Sequence, residues 1–209
     1  MCIVSLELRL VTVLLIPLEC SDYNRDLPCY FFDFAFSLIV EDQCRFISAL
    51  PSSIQQQVTV RLFRHIKQRR NHISEEARWD DQKFEVKYEL GDRPIEELVK
   101  ESRVYISTYN ATTFLESLSW NVPTIIFWNP ENNELCEDAI PYFELLKSVG
   151  IFHETPESAA RHVNKVWDDV DGWWLSIPVQ EVLERFTVQY CNAPKNMLGL
   201  ESYAEGTSA

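Results

Sequence analysis

Six residues within a short stretch, Ser107, Thr108, Asn110, Thr112, Thr113 and Glu116, have the side chains best suited to chemistry on an anion. Hydroxyls and one amide gather around a glycine-free turn, Thr108-Tyr109-Asn110. Neutral donors of this kind surround a phosphate or diphosphate without demanding a fixed charge. Glu116, one helical turn beyond Thr112, stands where a carboxylate would accept hydrogen bonds from a ribose diol. The same residues also have a plain structural use. Asn110 or Thr112 would serve as a helix N-cap, and Thr113 with Glu116 as a capping box. The two uses are compatible, because a capped helix N-terminus still attracts an anion.

These groups need a strand before the turn and a helix after it. Residues 104–107 (VYIS) read as the strand. A helix follows from Ala111 or Thr112 to Trp120, with Phe114, Leu115 and Leu118 on one face, and Asn121-Val122-Pro123 stops it. Residues 124–128 (TIIFW) are a second buried strand. Strand, helix and strand in so short a span make a right-handed βαβ crossover, hence a parallel sheet and an α/β domain. The open N–H groups at the helix start then face the cleft, where the helix dipole adds about half a positive charge.

The flanking segments extend the pattern. A short helix precedes the unit, with Ile95, Leu98 and Val99 apolar. Residues 58–63 (VTVRLF) alternate as a strand, so Arg61 and Arg64 fall near its C-terminal end, where open α/β sheets bind ligands. Residues 84–88 are a second short strand, and 129–137 a polar loop on the same edge, with Asn129 and Glu134 as candidate contacts. Residues 139–149 form a helix ended by Gly150, and 151–153 a brief strand ending in His153. His153 has two readings: a contact to a diphosphate or an acid–base group near neutral pH, or a histidine bonded to backbone in a βα loop. Thr155 and Pro156 open the next helix as N-cap and N1. Trp173, Trp174, Val182, Leu183, Phe186 and Tyr190 form a closing stripe for the sheet or for a partner domain; without that domain it would be exposed.

The ends of the chain carry less pattern. Residues 2–18 are apolar, but Glu7 and Arg9 interrupt them, Pro17 ends them and no basic region precedes them, so neither a signal peptide nor a span is expected. Residues 8–16 suit a buried strand, 30–40 a helix or a strand, and 41–51 an amphipathic helix. The expected organisation is a divergent leader over 1–40, a Rossmann-like domain over 41–192 and a disordered tail over 193–209.

Composition excludes several classes. A net charge of −13 opposes nucleic acid or an anionic membrane as the main partner. The basic group Arg61, Arg64, His65, Lys67, Arg69 and Arg70 is short and has two readings, a solvated helix face or a contact to an anionic substrate. Neither GxGxxG nor GxxxxGK[ST] occurs, so no classical dinucleotide or P-loop site is expected. The cysteines are scattered without a CxxC, and the acids Asp168, Asp169 and Asp171 lack further ligands, so no metal or cofactor is expected. A reducing cytoplasm is the expected compartment.

The runs RVYISTYNATTFLESLSWNVPTIIFWNP and AIPYFELLKSVGIFHETPESAARHVNKVWDDVDGWW resemble the C-terminal half of a family of bacterial transferases. That family occurs with surface-carbohydrate and lipopolysaccharide biosynthesis and is related in fold to GT-B glycosyltransferases and glycerophosphotransferases. The resemblance covers 41–192. It implies a Rossmann-like donor domain of the GT-B C-terminal type, binding a nucleotide-linked sugar or polyol. In that role Ser107, Thr108, Asn110, Thr112 and Thr113 hold phosphates, Glu116 holds ribose and Arg61 offsets charge, with His153 a further candidate contact from its place at a strand end. GT-B enzymes usually take their catalytic base from the N-terminal domain. The resemblance therefore implies a chain lacking its acceptor domain, inactive alone, and partnered by that domain or a second subunit. Two other readings stay open: a non-catalytic remnant serving as an interaction module, and a sugar-nucleotide epimerase-like protein of the same fold.

Overall fold

Parallel strands cannot be joined by hairpins, so each is reached by a crossover that lays a helix on one face or the other. A computed structural model of the chain describes residues 11–14, 29–61, 84, 86–89, 91–110, 112–130 and 133–191. Its strands are β1 (Val11–Leu14), β2 (Val58–Arg61), β3 (Lys87–Glu89), β4 (Val104–Ser107), β5 (Thr124–Phe127) and β6 (Phe152–His153). They make one sheet in the order β3-β2-β1-β4-β5-β6, and every neighbouring pair is parallel. This is the order of the doubly wound dinucleotide-binding fold, in which the winding reverses beside the first strand. The expected Rossmann-like α/β class is the one observed.

Among the described residues the helices are α1 (Cys29–Ala49), α2 (Ser52–Gln55), α3 (Ile95–Glu101), α4 (Thr112–Ser119), α5 (Ile140–Ser148), α6 (Pro156–Val166), α7 (Val170–Trp174) and α8 (Ile177–Tyr190). A 3-10 turn, Trp167–Asp169, joins α6 to α7. Successive strand residues point to opposite faces, which divides the core in two. On one face Val58, Val60, Val104, Ile106, Ile125 and Phe127 pack under α1, α2 and α6, where Phe46, Ile47, Ile54, Ala160 and Val163 meet them. On the other, Ile126 and Phe152 pack under α4, α5 and α8 with Phe114, Leu118, Phe143, Leu183 and Phe186. Each such side chain contributes about 1.5–3 kcal/mol by leaving water.

Three features settle what the local pattern left open. The strand read within residues 8–16 is β1, and it lies at the sheet's centre, between β2 and β4. Helix α1 begins at Cys29 and runs straight through residue 40, so the segment that reads as helix or strand is helix, and the sheet unit draws on the stretch expected to be a leader. The closing stripe is covered: Trp174, Val182, Leu183 and Phe186 are buried in the second core, while Ile177 and Val188 on α8 remain exposed. The 62–83 stretch, with the rest of the basic group, lies outside the described residues apart from Arg61. So does the 193–209 tail.

The local stops behave as the turn chemistry predicts. Thr155 caps α6, its Oγ1 accepting from the Ser158 N–H at 3.2 Å, with Pro156 in the first turn. Asn121, at the end of α4, has φ 54°, a left-handed conformation that asparagine tolerates better than most residues. Its Oδ1 accepts from Trp174 Nε1 at 2.9 Å and from Gln180 Nε2 at 3.3 Å, tying the end of α4 to α7 and α8.

Asn121→Ala therefore loses the Oδ1 acceptor and puts alanine, which tolerates the left-handed region less well than asparagine, at this position, for a cost of about 2 kcal/mol. Asn121→Gly keeps the backbone at ease and is expected to cost less. Urea denaturation of both variants checks this; equal losses would mean that the backbone conformation contributes nothing.

Candidate functional site

The reversal of winding sits between β1 and β4. Leu14 is in register with Arg61 on one side and Ser107 on the other, so the C-terminal ends of β2, β1 and β4 are level. Helix α1 packs on one face and α4 on the other. Connections that leave neighbouring strands for opposite faces open a crevice at the carboxyl edge, the usual ligand position in such sheets. The turn 108–110 is the β4 side of that crevice.

The six turn residues separate by depth. Ser107, Thr108 and Thr113 are buried, whereas Asn110, Thr112 and Glu116 are exposed. Strand alternation sends Ser107 and Thr108 to opposite faces. Ser107 Oγ donates to the Tyr109 carbonyl at 3.4 Å, and burial pushes up the ionisation of the fully buried Tyr105 on the same strand. Thr108 accepts from Gln43 Nε2 of α1 at 2.7 Å. The buried hydroxyls thus hold the turn, and Asn110, Thr112 and Glu116 stand open on its surface.

Helix α4 starts at Thr112. Among the described residues no side-chain hydrogen bond to its first N–H groups is seen; residue 111, immediately before it, lies outside them. The first turn of a helix has N–H groups without intrahelical partners, so this end turns N–H donors and the positive end of the dipole toward the crevice. Glu116 lies one turn down on the exposed side and is close enough to Tyr105 to oppose its ionisation.

Arg61 ends β2 at the same edge. Its Nε lies 3.4 Å from Glu89 Oε2, and both side chains are mostly covered. Glu89 also accepts from the Asp92 and Arg93 N–H groups at 2.7 and 3.1 Å, which fixes it as the staple of the turn after β3. Arg61 Nη1 has no partner among the described residues. The charge of Arg61 is therefore partly offset, with one guanidinium edge left unused.

His153 lies apart from this group. It ends β6, two strands from β4, a backbone separation of about 10 Å. Both ring nitrogens are engaged: Nδ1 with the Ser158 hydroxyl at 2.9 Å and Nε2 with the Gly150 carbonyl at 3.1 Å. Its ring faces His162, 5.3 Å between centroids, and His162 packs on Trp173 and fills the notch left by Gly150. Asn129 and Glu134 lie in the loop after β5, Asn129 partly buried and Glu134 exposed. Asp169 is occupied in capping α7, accepting from the Gly172 N–H at 2.9 Å.

Sequence reading passed over Gln43, Tyr105 and Glu89. Gln43 did leave a signal. It falls on the same helical stripe as Val40, Cys44 and Ile47, and a polar residue on an apolar stripe needs a partner.

A family model described as LIC12162 family transferase matches residues 11–201. The chain belongs to the LIC12162 family of transferases. The match takes in β1 and α1 together with everything to the end of α8, so the family's extent agrees with a sheet that has β1 at its centre. No curated protein matches the chain significantly. Within the described residues of this transferase, no helix is long and apolar enough to cross a membrane.

The histidine pair makes the stability of this family member pH-dependent. Burial, with His153 and Lys165 nearby, pushes His162 down to about 4 from an ordinary value of 6.5. Burial lowers His153 in the same direction. A depressed histidine is neutral in the folded chain, while the unfolded chain takes up its proton first, so stability present above pH 6.5 is lost as pH falls toward 4. The denaturation midpoint is expected to drop over that window. His162→Phe, which keeps a ring in the Gly150 notch, is expected to make the slope shallower; an unchanged slope would place its origin elsewhere.

Proposed function

We propose that this transferase binds a nucleotide-activated sugar or polyol at the β1/β4 crevice, as the donor domain of a GT-B-like enzyme of surface-carbohydrate biosynthesis. The observation that carries this is the strand order, which sets the turn 108–110 and the start of α4 beside the point where the winding reverses. In this reading the N–H groups of α4 with Asn110 and Thr112 receive the diphosphate, and Glu116 accepts from the ribose diol. Ser107, Thr108 and Thr113 shape the turn from beneath. Arg61, partly neutralised by Glu89, offsets charge from the β2 side.

The chemistry of such a domain is electrostatic. As the bond to the diphosphate breaks, negative charge grows on the leaving oxygens. Preorganised N–H dipoles stabilise that charge without reorganising. The acceptor and its base belong, in this proposal, to a second domain or subunit, and the compartment is the cytoplasm, where nucleotide-activated donors are available.

The test is thermal stability of the purified chain with CMP, CDP, UDP, GDP and their sugar conjugates. A ligand at one hundred times its dissociation constant adds about 2.7 kcal/mol. One nucleotide is expected to raise the melting temperature, and Asn110→Ala and Glu116→Ala to abolish the rise. No rise with any of them in a folded chain would sink the donor-site reading in favour of a non-catalytic interaction module.

A further inference from the structure

The crevice contains a buried polar atom that the described residues leave unsatisfied. Gln43 is 0% exposed. Its Nε2 donates to Thr108 Oγ1, and its Oε1 has no partner among the described residues. Native structures leave few such atoms, because a buried acceptor without a donor forfeits the hydrogen bond it made in water. Its position is informative. Thr108 is the first residue after β4, so the Gln43 amide lies where α1 meets the carboxyl edge of the sheet, across the crevice from the start of α4.

The amide is also held in place. Arg45, half a turn along α1, makes a two-point pair with Glu157 at the start of α6, Nε to Oε1 at 2.9 Å and Nη2 to Oε2 at 3.0 Å. Phe46 stacks on Phe127 at the end of β5, 5.2 Å between ring centroids. A side chain bonded to Thr108 on a helix anchored at the next turn offers its remaining atom at a set position, which favours a specific contact over a loose one.

We propose that Gln43 is a specificity residue of the donor site, its Oε1 accepting a hydrogen bond from a neutral donor group on the bound nucleotide or nucleotide-sugar. The inference rests on the donor-site reading above. A carbonyl oxygen accepts from a base N–H or a sugar hydroxyl and repels an anionic oxygen, whereas the N–H groups of α4 do the reverse. The crevice is therefore polarised: the diphosphate lies on the α4 side, and the nucleoside or sugar turns toward α1. Pyrophosphate, which has no neutral donor of this kind, binds without using Gln43.

Calorimetric titration of the whole chain with pyrophosphate, CDP, UDP, GDP and the sugar conjugates of whichever diphosphate binds will test this. Gln43→Met has similar length and removes the unpaired oxygen together with the bond to Thr108, two opposed effects, so it is expected to melt near the wild-type temperature. It is expected to lose at least about tenfold in nucleotide affinity and nothing for pyrophosphate, the selective loss of one hydrogen bond. Gln43→Asn, which withdraws the amide by one methylene while keeping its polarity, should show the same selectivity and serves if the methionine variant fails to fold. A loss confined to the sugar conjugate places the contact on the sugar; a loss shared with the diphosphate places it on the nucleoside. Unchanged affinities would overturn the role of Gln43 and leave the donor site standing. An equal loss for pyrophosphate would overturn it too, making Gln43 a strut for Thr108. A wild-type chain that binds none of these ligands would remove the donor site and this inference together.

Discussion

Both halves of the sheet depend on the pairing of β1. This four-residue strand is hydrogen-bonded in parallel to β2 on one side and β4 on the other. Without it, β3-β2 and β4-β5-β6 would be separate pieces with open edges. The same strand is where the winding reverses. Connections on its two sides go to opposite faces, so α1 and α4 cover different cores and leave a crevice between their ends. Fold and candidate site thus have one cause.

A second set of interactions adjusts what that topology creates. Arg45–Glu157 is half exposed, and such pairs contribute roughly 0–1 kcal/mol. Burial of Phe46, Ile47 and Leu50 on the same helix amounts to about 1.5–3 kcal/mol for each side chain. Apolar burial therefore holds α1 to the sheet, and the ion pair fixes its rotation. The Gln43–Thr108 bond is different in kind. It is fully buried, and it joins the two connections that flank the crevice.

On the far side, the chain passes from α6 on one face to α8 on the other around the β6 edge. Trp173 donates to the Val149 carbonyl at 3.0 Å, and Trp174 to Asn121 on the β4–β5 crossover. These bonds satisfy the indole N–H groups where the chain turns the corner, and they draw the closing helix into the second core. A stripe that looks ready for a partner domain is in this way largely used within the chain, with Ile177 and Val188 left outside.

What could be read locally was read locally. The unit β4–α4–β5, the stop at Asn121 and the Thr155-Pro156 helix start were all legible, because each depends on residue types within one or two turns of one another. The α/β class followed from that unit alone. Tertiary structure decided the rest: that β1 is central, that α1 crosses residue 40, that Ser107 and Thr108 are covered while Asn110 and Thr112 are not, and that His153 spends both nitrogens beside β6. A short parallel strand at a sheet's centre shows a continuous apolar run without alternation, so its identity is ambiguous until its neighbours pair with it. The partner of Gln43 lies 65 residues away, and no local period encodes a hydrogen bond across that distance. Local sequence determined the elements and their ends; the packing of distant segments determined which side chains meet at the crevice.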